Sequence, residues 1–433
     1  MLRKILQFKL KLLSQLILKK YQPVIVGITG SVGKTSTKEA INLILKNHLI
    51  VRMSPKNYNN ELGLPLTIIG QDSAGNNLWA WGKIIKKALW MILFKDKNYP
   101  QVLILEMGAD RPGDIAYLTK IAPPTIGVVT GVSHAHLEYF SSLANTKKEK
   151  QVLIENISSK NKKGLAILNY DNELTREMAA VSRVGILTYG LQEGANLQAQ
   201  DIVFNFTKGN YELSGLNFKL NYNGSIVPVF MPNIMTESAL YAALAAAAVG
   251  IYFDLNLVEI AQALSSFSLP AGRMNILPGI KNSFIIDDTY NSSPVSALSA
   301  LDILGRIKID DSAVKYAVLG DMLELGNYTE EGHILVGKKL VASGINYLIA
   351  VGEKSKYFIQ GAVEAGLADN YVFSFSHSEE VGVFLKTKLH AGDIILVKGS
   401  QGMRMEKVVK EIMVEPQKAK ELLVRQGGQW SQK

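Results

Sequence analysis

Apolar and polar positions along the chain alternate in blocks that predict short strands, each followed by a helix. A run of large apolar residues follows Pro23, and residues with helical spacing continue to Leu45. The same order recurs further along, which is typical of βαβ units in a parallel sheet. The strands predicted in this part are 24–29, 102–106, 126–130 and 165–169, and the first helix is predicted over 35–45.

From about 196 to 231 the alternation becomes shorter, and turn residues interrupt it at Lys208-Gly209-Asn210 and at Asn223-Gly224. Such residues favour the tight turns of hairpins, so this stretch predicts a hairpin-rich edge. Two helices are predicted to follow, over 237–250 and over 257–267.

Pro270 and Gly272 interrupt both periodicities, and we interpret 269–273 as a hinge. A second set of apolar strands follows, separated by helical stretches, and this order is typical of a doubly wound sheet. The polar tail after Glu415 is predicted to fray. The strands predicted in this part are 284–286, 316–319, 347–351 and 394–397.

These elements predict an α/β protein with three parts. We expect an amphipathic basic helix over 1–22, then a central phosphate-loop domain with a parallel sheet and a hairpin-rich edge over 23–270. A smaller Rossmann-like domain is expected over 271–433. A segment rich in tryptophan and lysine, at 74–100, is predicted to be an insertion in the central domain.

The composition is that of a folded protein with more than one domain. Of its 433 residues, 47% are apolar and 20% are charged, which is far from the composition of disordered chains. The chain has no cysteine, which excludes disulfides, thiolate nucleophiles and cysteine-ligated zinc or iron–sulfur sites. We therefore expect a reducing, cytosolic compartment.

The net charge of +9 comes from two segments. Residues 1–22 contribute +6 without any acidic residue, residues 74–100 contribute +4, and the remainder sums to −1. Outside these segments we expect no basic face of the kind that follows a nucleic acid backbone. Nucleic acid is therefore not an expected partner.

Both basic segments are also rich in large apolar residues. Lysines interrupt the apolar runs of the first segment, and the longest run of the second is 88–94, so neither can span a bilayer. The second segment contains Trp79, Trp81 and Trp90, three of the four tryptophans. Two interpretations stay open: helices that lie on an anionic membrane surface, or amphipathic helices that pack on the body or on each other.

Candidate chemistry begins at Gly30-Ser31-Val32-Gly33-Lys34-Thr35-Ser36, between the first predicted strand and helix. This is the composition and context of a phosphate loop: glycines let backbone N–H groups approach phosphate oxygens, Lys34 supplies positive charge, and the Thr35 hydroxyl can ligate Mg²⁺. The spacing departs from the general motif, because Ile28 stands where the first glycine is expected. A tight turn without a ligand is the alternative, and the Gly-Lys-Thr sequence argues against it.

Glu106 ends an apolar strand predicted beside this loop, where a carboxylate can hold Mg²⁺. A glutamate at a strand end is otherwise a solvated rim residue, and the presence of Lys34 favours the metal interpretation. His134 and His136 follow the next strand, and their spacing alone does not specify a metal site. The chain contains no Asn-Lys-x-Asp guanine motif, so an adenine nucleotide is expected.

Several blocks, taken together and in order, resemble the Mur ligases over roughly 23–413. In the central domain they are the loop at 30–36, Asn57-Tyr58-Asn59-Asn60-Glu61, Leu105-Glu106-Met107-Gly108, His136-Leu137-Glu138 and Asn169-Tyr170-Asp171. Blocks further on are similar to the branch of this family that adds D-alanyl-D-alanine to a UDP-N-acetylmuramoyl tripeptide: Asp287-Asp288-Thr289-Tyr290-Asn291, Leu319-Gly320-Asp321-Met322 and Val397-Lys398-Gly399-Ser400.

The resemblance implies an ATP-dependent amide ligase of peptidoglycan precursor synthesis. In that reaction a substrate carboxylate takes the γ-phosphate of ATP, and an incoming amine attacks the acyl phosphate. The implied cofactors are ATP and Mg²⁺. The implied partners are a UDP-linked muramoyl peptide and D-alanyl-D-alanine, and a monomer is expected.

The resemblance also implies roles for individual residues. Lys150 lies fourteen positions after His136, where the family's lysine is often carbamoylated to give a second metal ligand. Its neighbours Lys147 and Lys148 show that a lysine here can equally belong to a solvated helix face. The implied catalytic residues are Lys34, His136 and Lys150, and the metal ligands are Thr35, Glu106, His136 and Lys150. The implied ATP contacts are Gly30, Ser31, Val32, Gly33, Lys34, Thr35, Ser36, Arg273, Asp288 and Asn291, and the substrate contacts are Asn59, Asn60 and Lys398.

Two departures from the family leave alternatives open. Only 26 residues precede Gly27, where the family has a separate UDP-binding domain, so the way a UDP moiety is bound is open. The family's His-Asn-x-x-Asn is replaced by Ile234-Met235-Thr236-Glu237-Ser238, which predicts altered adenine contacts. Two further hypotheses are a Mur-type ligase with another carboxylate and amine, and an inactive nucleotide-binding scaffold at the membrane surface.

Overall fold

A computed structural model describes residues 2–54, 58–133, 142–158, 164–205 and 215–427. The chain forms two compact units. One comprises Met1–Val203, Asn217–Met231 and Glu237–Phe267, and the other comprises Phe204–Leu216, Pro232–Thr236 and Ser268–Lys433. The predicted α/β class is confirmed, because two mainly parallel sheets alternate with helices.

The strands and helices up to residue 267 form around a nine-stranded sheet. Its strands are β1 (Val24–Thr29), β2 (Val51–Met53), β3 (Val102–Glu106), β4 (Ile126–Val129), β5 (Leu165–Asn169), β6 (Gly185–Gly190), β7 (Leu197–Asn205), β8 (Gly215–Tyr222) and β9 (Ser225–Pro232). The helices are α1 (Leu2–Tyr21), α2 (Lys34–Leu45), α3 (Gly63–Ile69), α4 (Leu78–Leu93), α5 (Asp114–Ile121), α6 (Leu143–Glu155), α7 (Glu173–Arg176), α8 (Glu237–Tyr252) and α9 (Leu257–Leu264).

The order of this sheet places the phosphate loop at its centre. The strands run β2-β3-β1-β4-β5-β6-β7-β8-β9, and β1 pairs in parallel with β3 and with β4. All six residues of β1 are buried, as expected for a parallel strand covered on both faces. The chain therefore leaves β1 at a switch point of the sheet, where α/β proteins bind their ligands.

The predicted hairpin-rich edge is present at β7–β9, although its predicted turn at Lys208-Gly209-Asn210 lies outside the described residues. Burial alternates along β7, which is the pattern of a strand with one face in solvent. Between β8 and β9 both Asn223 and Gly224 have positive φ, at 50° and 81°. A two-residue turn of this kind matches the twist of hairpin strands, and this is why Asn-Gly predicted it.

The second sheet has six strands in the order β10-β11-β15-β12-β13-β14, and β10 pairs antiparallel with β11 while the other pairs are parallel. Its strands are β10 (Asn275–Gly279), β11 (Ser283–Asp288), β12 (Lys315–Gly320), β13 (Tyr347–Val351), β14 (Val372–Phe375) and β15 (Ile394–Lys398). The helices are α10 (Pro294–Arg306), α11 (Thr329–Ala342), α12 (Lys356–Glu364), α13 (Ser378–Lys388), α14 (Glu406–Ile412) and α15 (Ala419–Leu422).

Two features of the fold differ from the sequence predictions. The strands β2, β6, β10 and β14 were not predicted, because they are short or only partly buried and lack a strong apolar run. The prediction that the tail after Glu415 frays is wrong for the residues that the structure describes. That segment forms helical turns, and Leu423 is buried against the core of the second unit.

The helices α1 and α4, which cover the two basic segments, pack on each other and on the body of the first unit. Leu10, Leu13 and Ile17 of α1 are buried and share a core with Ile84 and Met91 of α4. The structure therefore contains the packing that one of the two interpretations predicts. Among the described helices, none combines the length and apolar character needed to cross a membrane.

Candidate active site

The turn from β1 into α2 has the backbone of a phosphate loop. Gly30 and Gly33 have φ angles of 150° and 86°, which residues with a side chain rarely adopt. A Cβ on Gly30 would lie 1.9 Å from Oγ1 of Thr130. Gly33 is the N-cap residue of α2, and because it has no side chain, the first N–H groups of α2 stay available to an anion.

The loop is held in place by the residues that follow β4. Ser31 N donates to the carbonyl of Gly131 at 2.9 Å, and Ser133 N donates to Ser31 Oγ at 3.0 Å. Thr130 Oγ1 donates to the carbonyl of Val32 at 2.6 Å. No role was predicted for Thr130, although a polar residue at the end of the predicted strand 126–130 was a usable signal.

Thr35, Glu106 and Asn59 meet beside the loop. Thr35 Oγ1 donates to Glu106 Oε2 at 3.1 Å, and Asn59 Nδ2 donates to Glu106 Oε1 at 3.3 Å. Glu106 is only 3% exposed. Lys34, one residue before Thr35, turns back over the loop and donates to the carbonyl of Gly30 at 2.7 Å. A cation and a buried carboxylate thus flank the N-terminus of α2.

Asn60 is not part of this group. Its Oδ1 accepts hydrogen bonds from the backbone N–H groups of Leu62 at 3.2 Å and Gly63 at 2.9 Å. These bonds hold the turn that leads into α3. Of the two neighbouring asparagines, only Asn59 contacts Glu106.

Lys150 differs from the other lysines on α6. It is 4% exposed, whereas Lys148 is exposed and Lys147 forms an ion pair with Glu177. Burial, and then the nearby charge of Lys34, lower the pKa of Lys150 from its ordinary 10.5 to about 7. Lowering the pKa favours the uncharged amine, which is the form that reacts as a nucleophile.

The residues beside the loop fit Mg²⁺. The Thr35 hydroxyl and the Glu106 carboxylate are oxygen donors, and Mg²⁺ sites commonly combine one or two carboxylates with phosphate oxygens of the substrate. In the described part of the chain, no group of three histidine, cysteine or acidic residues is placed to hold a metal, so phosphate would complete the site. His136 lies within 134–141, outside the described residues.

A second group of predicted residues lies in the second unit. Asp288 ends β11 and is paired in register with Lys398, which ends β15. Lys398 is buried, and its Nζ donates to Asp288 Oδ2 at 2.6 Å and to the carbonyl of Asn291 at 2.9 Å. The structure therefore places Lys398, predicted as a substrate contact, against the two residues predicted as ATP contacts.

The predicted hinge is held by a buried carboxylate. Gly272 has a φ of 70°, and its N–H donates to Asp287 Oδ2 at 3.2 Å. Thr289 Oγ1 donates to Asp287 Oδ1 at 2.6 Å, and burial raises the pKa of Asp287 to about 7. The guanidinium of Arg273 lies 4.2 Å from the centre of the Tyr290 ring, a cation–π contact. Asp287 thus holds the backbone at Gly272 and Thr289, next in sequence to Arg273 and Tyr290, whereas a role was predicted only for its neighbour Asp288.

Arg425, in the tail that was predicted to fray, supports the same loop. It donates to the carbonyls of Thr289 and of Tyr290, the latter at 3.2 Å. Its Nε also lies 3.2 Å from Oε2 of the buried Glu406, whose Oε1 is bound by Arg404 at 2.6 Å. No local pattern in the sequence indicates these contacts, because the partners lie up to 136 positions away.

Arg425→Gln should lower the free energy of unfolding of the second unit by about 2 kcal/mol, because a buried carboxylate loses a charged hydrogen bond. Urea unfolding of the variant measures this loss of stability. The loop at 289–291 should also bind nucleotide more weakly. Lys418→Gln, which removes an exposed cation of the same tail, is the matched control and should unfold like the wild type. Equal stability of wild type and Arg425→Gln would contradict this role.

Family models match most of the chain. Residues 28–80 and 88–250 match the Mur ligase middle domain, and residues 272–401 match the model described as Mur ligase, glutamate ligase domain. The first match contains the phosphate loop, Glu106 and Lys150, and the second contains Arg273 and Asp288.

Individual relatives are similar along nearly the whole chain. The UDP-N-acetylmuramoyl-tripeptide–D-alanyl-D-alanine ligase of Buchnera aphidicola subsp. Baizongia pistaciae is 31% identical over 398 residues, which are 91% of this chain and 76% of that protein. The protein of the same name from Bacillus subtilis is 26% identical over 94% of this chain and 79% of its own. A crystal structure of MurF ligase from Thermotoga maritima in complex with ADP has a TM-score of 0.73 and 26% identity, and the match covers 94% of this chain and 83% of that one.

Proposed function

This chain belongs to the Mur ligase family, whose members are ADP-forming ligases, and we propose that it joins D-alanyl-D-alanine to a UDP-N-acetylmuramoyl tripeptide in peptidoglycan precursor synthesis. The observation that carries the proposal is the phosphate loop with Lys34 beside the Thr35–Glu106 pair. The similarity to relatives of that name over both family domains supports the choice of substrates.

The proposed reaction has two steps. A carboxylate oxygen at the end of the tripeptide attacks the γ-phosphorus of ATP, the bond from that phosphorus to the bridging oxygen breaks, and ADP leaves. The amino nitrogen of D-alanyl-D-alanine then attacks the acyl carbon. The C–N bond forms as the bond from carbon to the phosphate oxygen breaks, and the nitrogen loses a proton as inorganic phosphate leaves.

The chain supplies donors and positive charge for the phosphoryl transfer. The backbone N–H groups of 30–36, at the N-terminus of α2, face the phosphate oxygens. Lys34 Nζ exchanges the carbonyl of Gly30 for a phosphate oxygen, because a charged acceptor forms the stronger hydrogen bond. Thr35 and Glu106 would hold Mg²⁺, which would neutralise phosphate charge when bound.

Lys150 carries a carbamate in this proposal. Its uncharged amine attacks the carbon of CO₂, an N–C bond forms, an electron pair moves to oxygen, and the nitrogen releases a proton. A carboxylate then stands where an ammonium would be opposed by the like charge of Lys34. The burial of Lys150 and the proximity of that charge support this modification, and the carbamate oxygens suit a second metal ligand.

The remaining residue roles are proposals carried by the family resemblance. They are His136 as a metal ligand, Arg273, Asp288 and Asn291 as ATP contacts, and Asn59, Asn60 and Lys398 as substrate contacts.

Glu106→Gln should raise the Mg²⁺ concentration needed for half-maximal activity by about 10- to 100-fold, because an amide oxygen is a weaker ligand than a carboxylate. His136→Ala should shift the same titration. Glu155→Gln, a change at a glutamate on the exposed side of α6, is the control. An unchanged Mg²⁺ titration in both site variants would remove the metal assignment.

ADP release tests the proposed substrates. The assay contains ATP, Mg²⁺ and UDP-N-acetylmuramoyl tripeptide, with or without D-alanyl-D-alanine, and we expect release that requires both substrates. Release that requires another carboxylate or amine would identify a related Mur-type ligase. Nucleotide binding without turnover on any pair would identify an inactive scaffold. Either result would reject the proposed activity.

We also expect the enzyme to be a cytoplasmic monomer that contacts the inner face of the membrane peripherally. The absence of cysteine suits a reducing compartment, and the basic charge of 1–22 and 74–100 suits an anionic surface.

A further inference from the structure

The helices α1 and α4 each bury one face and expose another that is unusually apolar. The four most exposed large apolar side chains of the described residues all lie on them: Trp79 at 88%, Leu78 at 75%, Leu93 at 74% and Phe8 at 66%. Large exposed apolar patches on a protein surface mark sites of interaction. The packing of the inner faces in the core therefore does not explain why the outward faces of the two helices are so apolar.

The two helices pack against each other and are bonded near their C-terminal ends. Lys20 Nζ, near the end of α1, donates to the carbonyls of Met91 and Ile92 near the end of α4, at 3.0 and 2.8 Å. The N–H of Asp96 donates to the hydroxyl of Tyr21 at 2.8 Å. These bonds and the shared core fix the helices side by side, so their exposed faces act together.

Lysines are interleaved with the exposed apolar residues on these faces. On α4, Lys86 lies seven positions after Trp79, and Lys83 lies seven positions before Trp90, so each lysine shares a face with a tryptophan. On α1, Lys9 adjoins Phe8. Lys9, Lys83 and Lys86 are exposed, and none has an ion pair or hydrogen bond with a described residue. Cations and large apolar groups are thus available together.

We infer that the exposed faces of α1 and α4 dock this protein on an anionic lipid bilayer. Leucine, tryptophan and phenylalanine enter the boundary between headgroups and acyl chains, and interleaved lysines bind the anionic headgroups. None of these residues belongs to the site at the phosphate loop, so this surface adds a lipid-binding property to the proposed reaction.

Two other occupants fit this surface less well. The core of a protein–protein interface is depleted of lysine, whereas here lysines stand among the tryptophans. A second copy of the chain would bring two surfaces together that each carry +10 over residues 1–22 and 74–100, and like charges repel. An anionic bilayer is complementary to both the charge and the apolar groups.

Because one face of α1 packs in the core, the variants that test lipid binding must change only exposed positions. Deletion of 1–20 would remove Leu10, Leu13 and Ile17 from the core, so a truncated chain would lose stability as well as surface. Exposed positions avoid this, because substitutions there change stability little. One variant is Phe8→Ser/Trp79→Ser/Leu93→Ser, and a second is Lys9→Gln/Lys83→Gln/Lys86→Gln.

Two control variants make the same changes elsewhere on the surface. Val258→Ser/Val383→Ser/Val414→Ser removes three other exposed apolar side chains, and Lys308→Gln/Lys410→Gln/Lys420→Gln removes three other exposed lysines. The second control matches the charge variant in net charge, so it separates the effect of position from that of total charge.

Co-sedimentation of the full chain with phosphatidylcholine vesicles, with and without about 30% phosphatidylglycerol, measures the binding. We expect binding to the anionic vesicles alone, weakened by salt. Each lysine removed should weaken binding about fivefold, so the charge variant should bind on the order of 100-fold more weakly. The apolar variant should also lose binding, and both controls should bind like the wild type. ADP release with both ligase substrates, measured without vesicles, should be unchanged.

Failure of the wild-type chain to bind anionic vesicles would overturn the inference and leave a protein partner as the occupant of the surface. Binding by the two α1–α4 variants equal to that of their controls would also overturn it. Neither result bears on the ligase reaction, which is measured without lipid.

Discussion

Lys34→Ala should reduce ligase turnover by at least about 100-fold, because it removes the cation that stabilises the transferring phosphoryl group. The Lys34 side chain lies on the first turn of α2 and donates to the carbonyl of Gly30 across the loop. No buried core residue is changed, so the fold should persist. Steady-state ADP release and thermal unfolding of the purified variant measure the two effects.

Lys46→Ala is the matched control for this prediction. It removes an exposed lysine that caps the other end of the same helix, and it should leave turnover unchanged. Turnover by Lys34→Ala at the wild-type rate would mean that this loop is not where ATP reacts.

Lys150→Ala should be inactive and should regain part of its activity when a short-chain carboxylate such as acetate is added. The small side chain leaves room for the added carboxylate where the carbamate of the wild-type protein would stand. Lys148→Ala, an exposed neighbour on α6, should remain active with and without acetate. A carbonyl resonance from ¹³C-bicarbonate, present in the wild type and absent in Lys150→Ala, would report the carbamate itself.

The pKa of Lys150 gives this variant a pH signature in stability. Its pKa in the folded protein, about 7, lies below its ordinary 10.5. Between these two pH values the unfolded chain therefore binds more protons than the folded one. In CO₂-free buffer, where Lys150 keeps a free amine, the wild type should therefore gain stability relative to Lys150→Ala as pH rises from 7 to 10, because the buried ammonium is then lost. Full activity of Lys150→Ala without acetate would contradict the carbamate.

Local patterns predicted the centre of the first sheet well. The strand Val24–Thr29 has the predicted bounds, and α2 begins one residue before the predicted 35–45. The strength of the apolar run and the turn-forming glycines explain this, because both act within a few residues. The weak strands β6 and β14 were missed because their position depends on pairing with neighbours.

Roles that depend on tertiary contacts could not be read from the sequence. Lys147, Lys148 and Lys150 have the same local context, so apart from the family's spacing from His136, only burial in the fold distinguishes Lys150. Arg425 contacts the carbonyl of Thr289, and no periodicity links positions so far apart. For α1, an amphipathic pattern is compatible both with packing and with a lipid surface, and the structure shows that one face packs while the other stays exposed.

Isotope transfer shows whether the protein is an amide ligase that acts through an acyl phosphate. UDP-N-acetylmuramoyl tripeptide labelled with ¹⁸O in its terminal carboxylate is incubated with ATP, Mg²⁺ and D-alanyl-D-alanine, and the phosphate and the product are analysed by mass spectrometry. We expect each released phosphate to carry an oxygen from the carboxylate and the product to gain the mass of the dipeptide less water. Phosphate without ¹⁸O, or ADP release without the amide product, would contradict it.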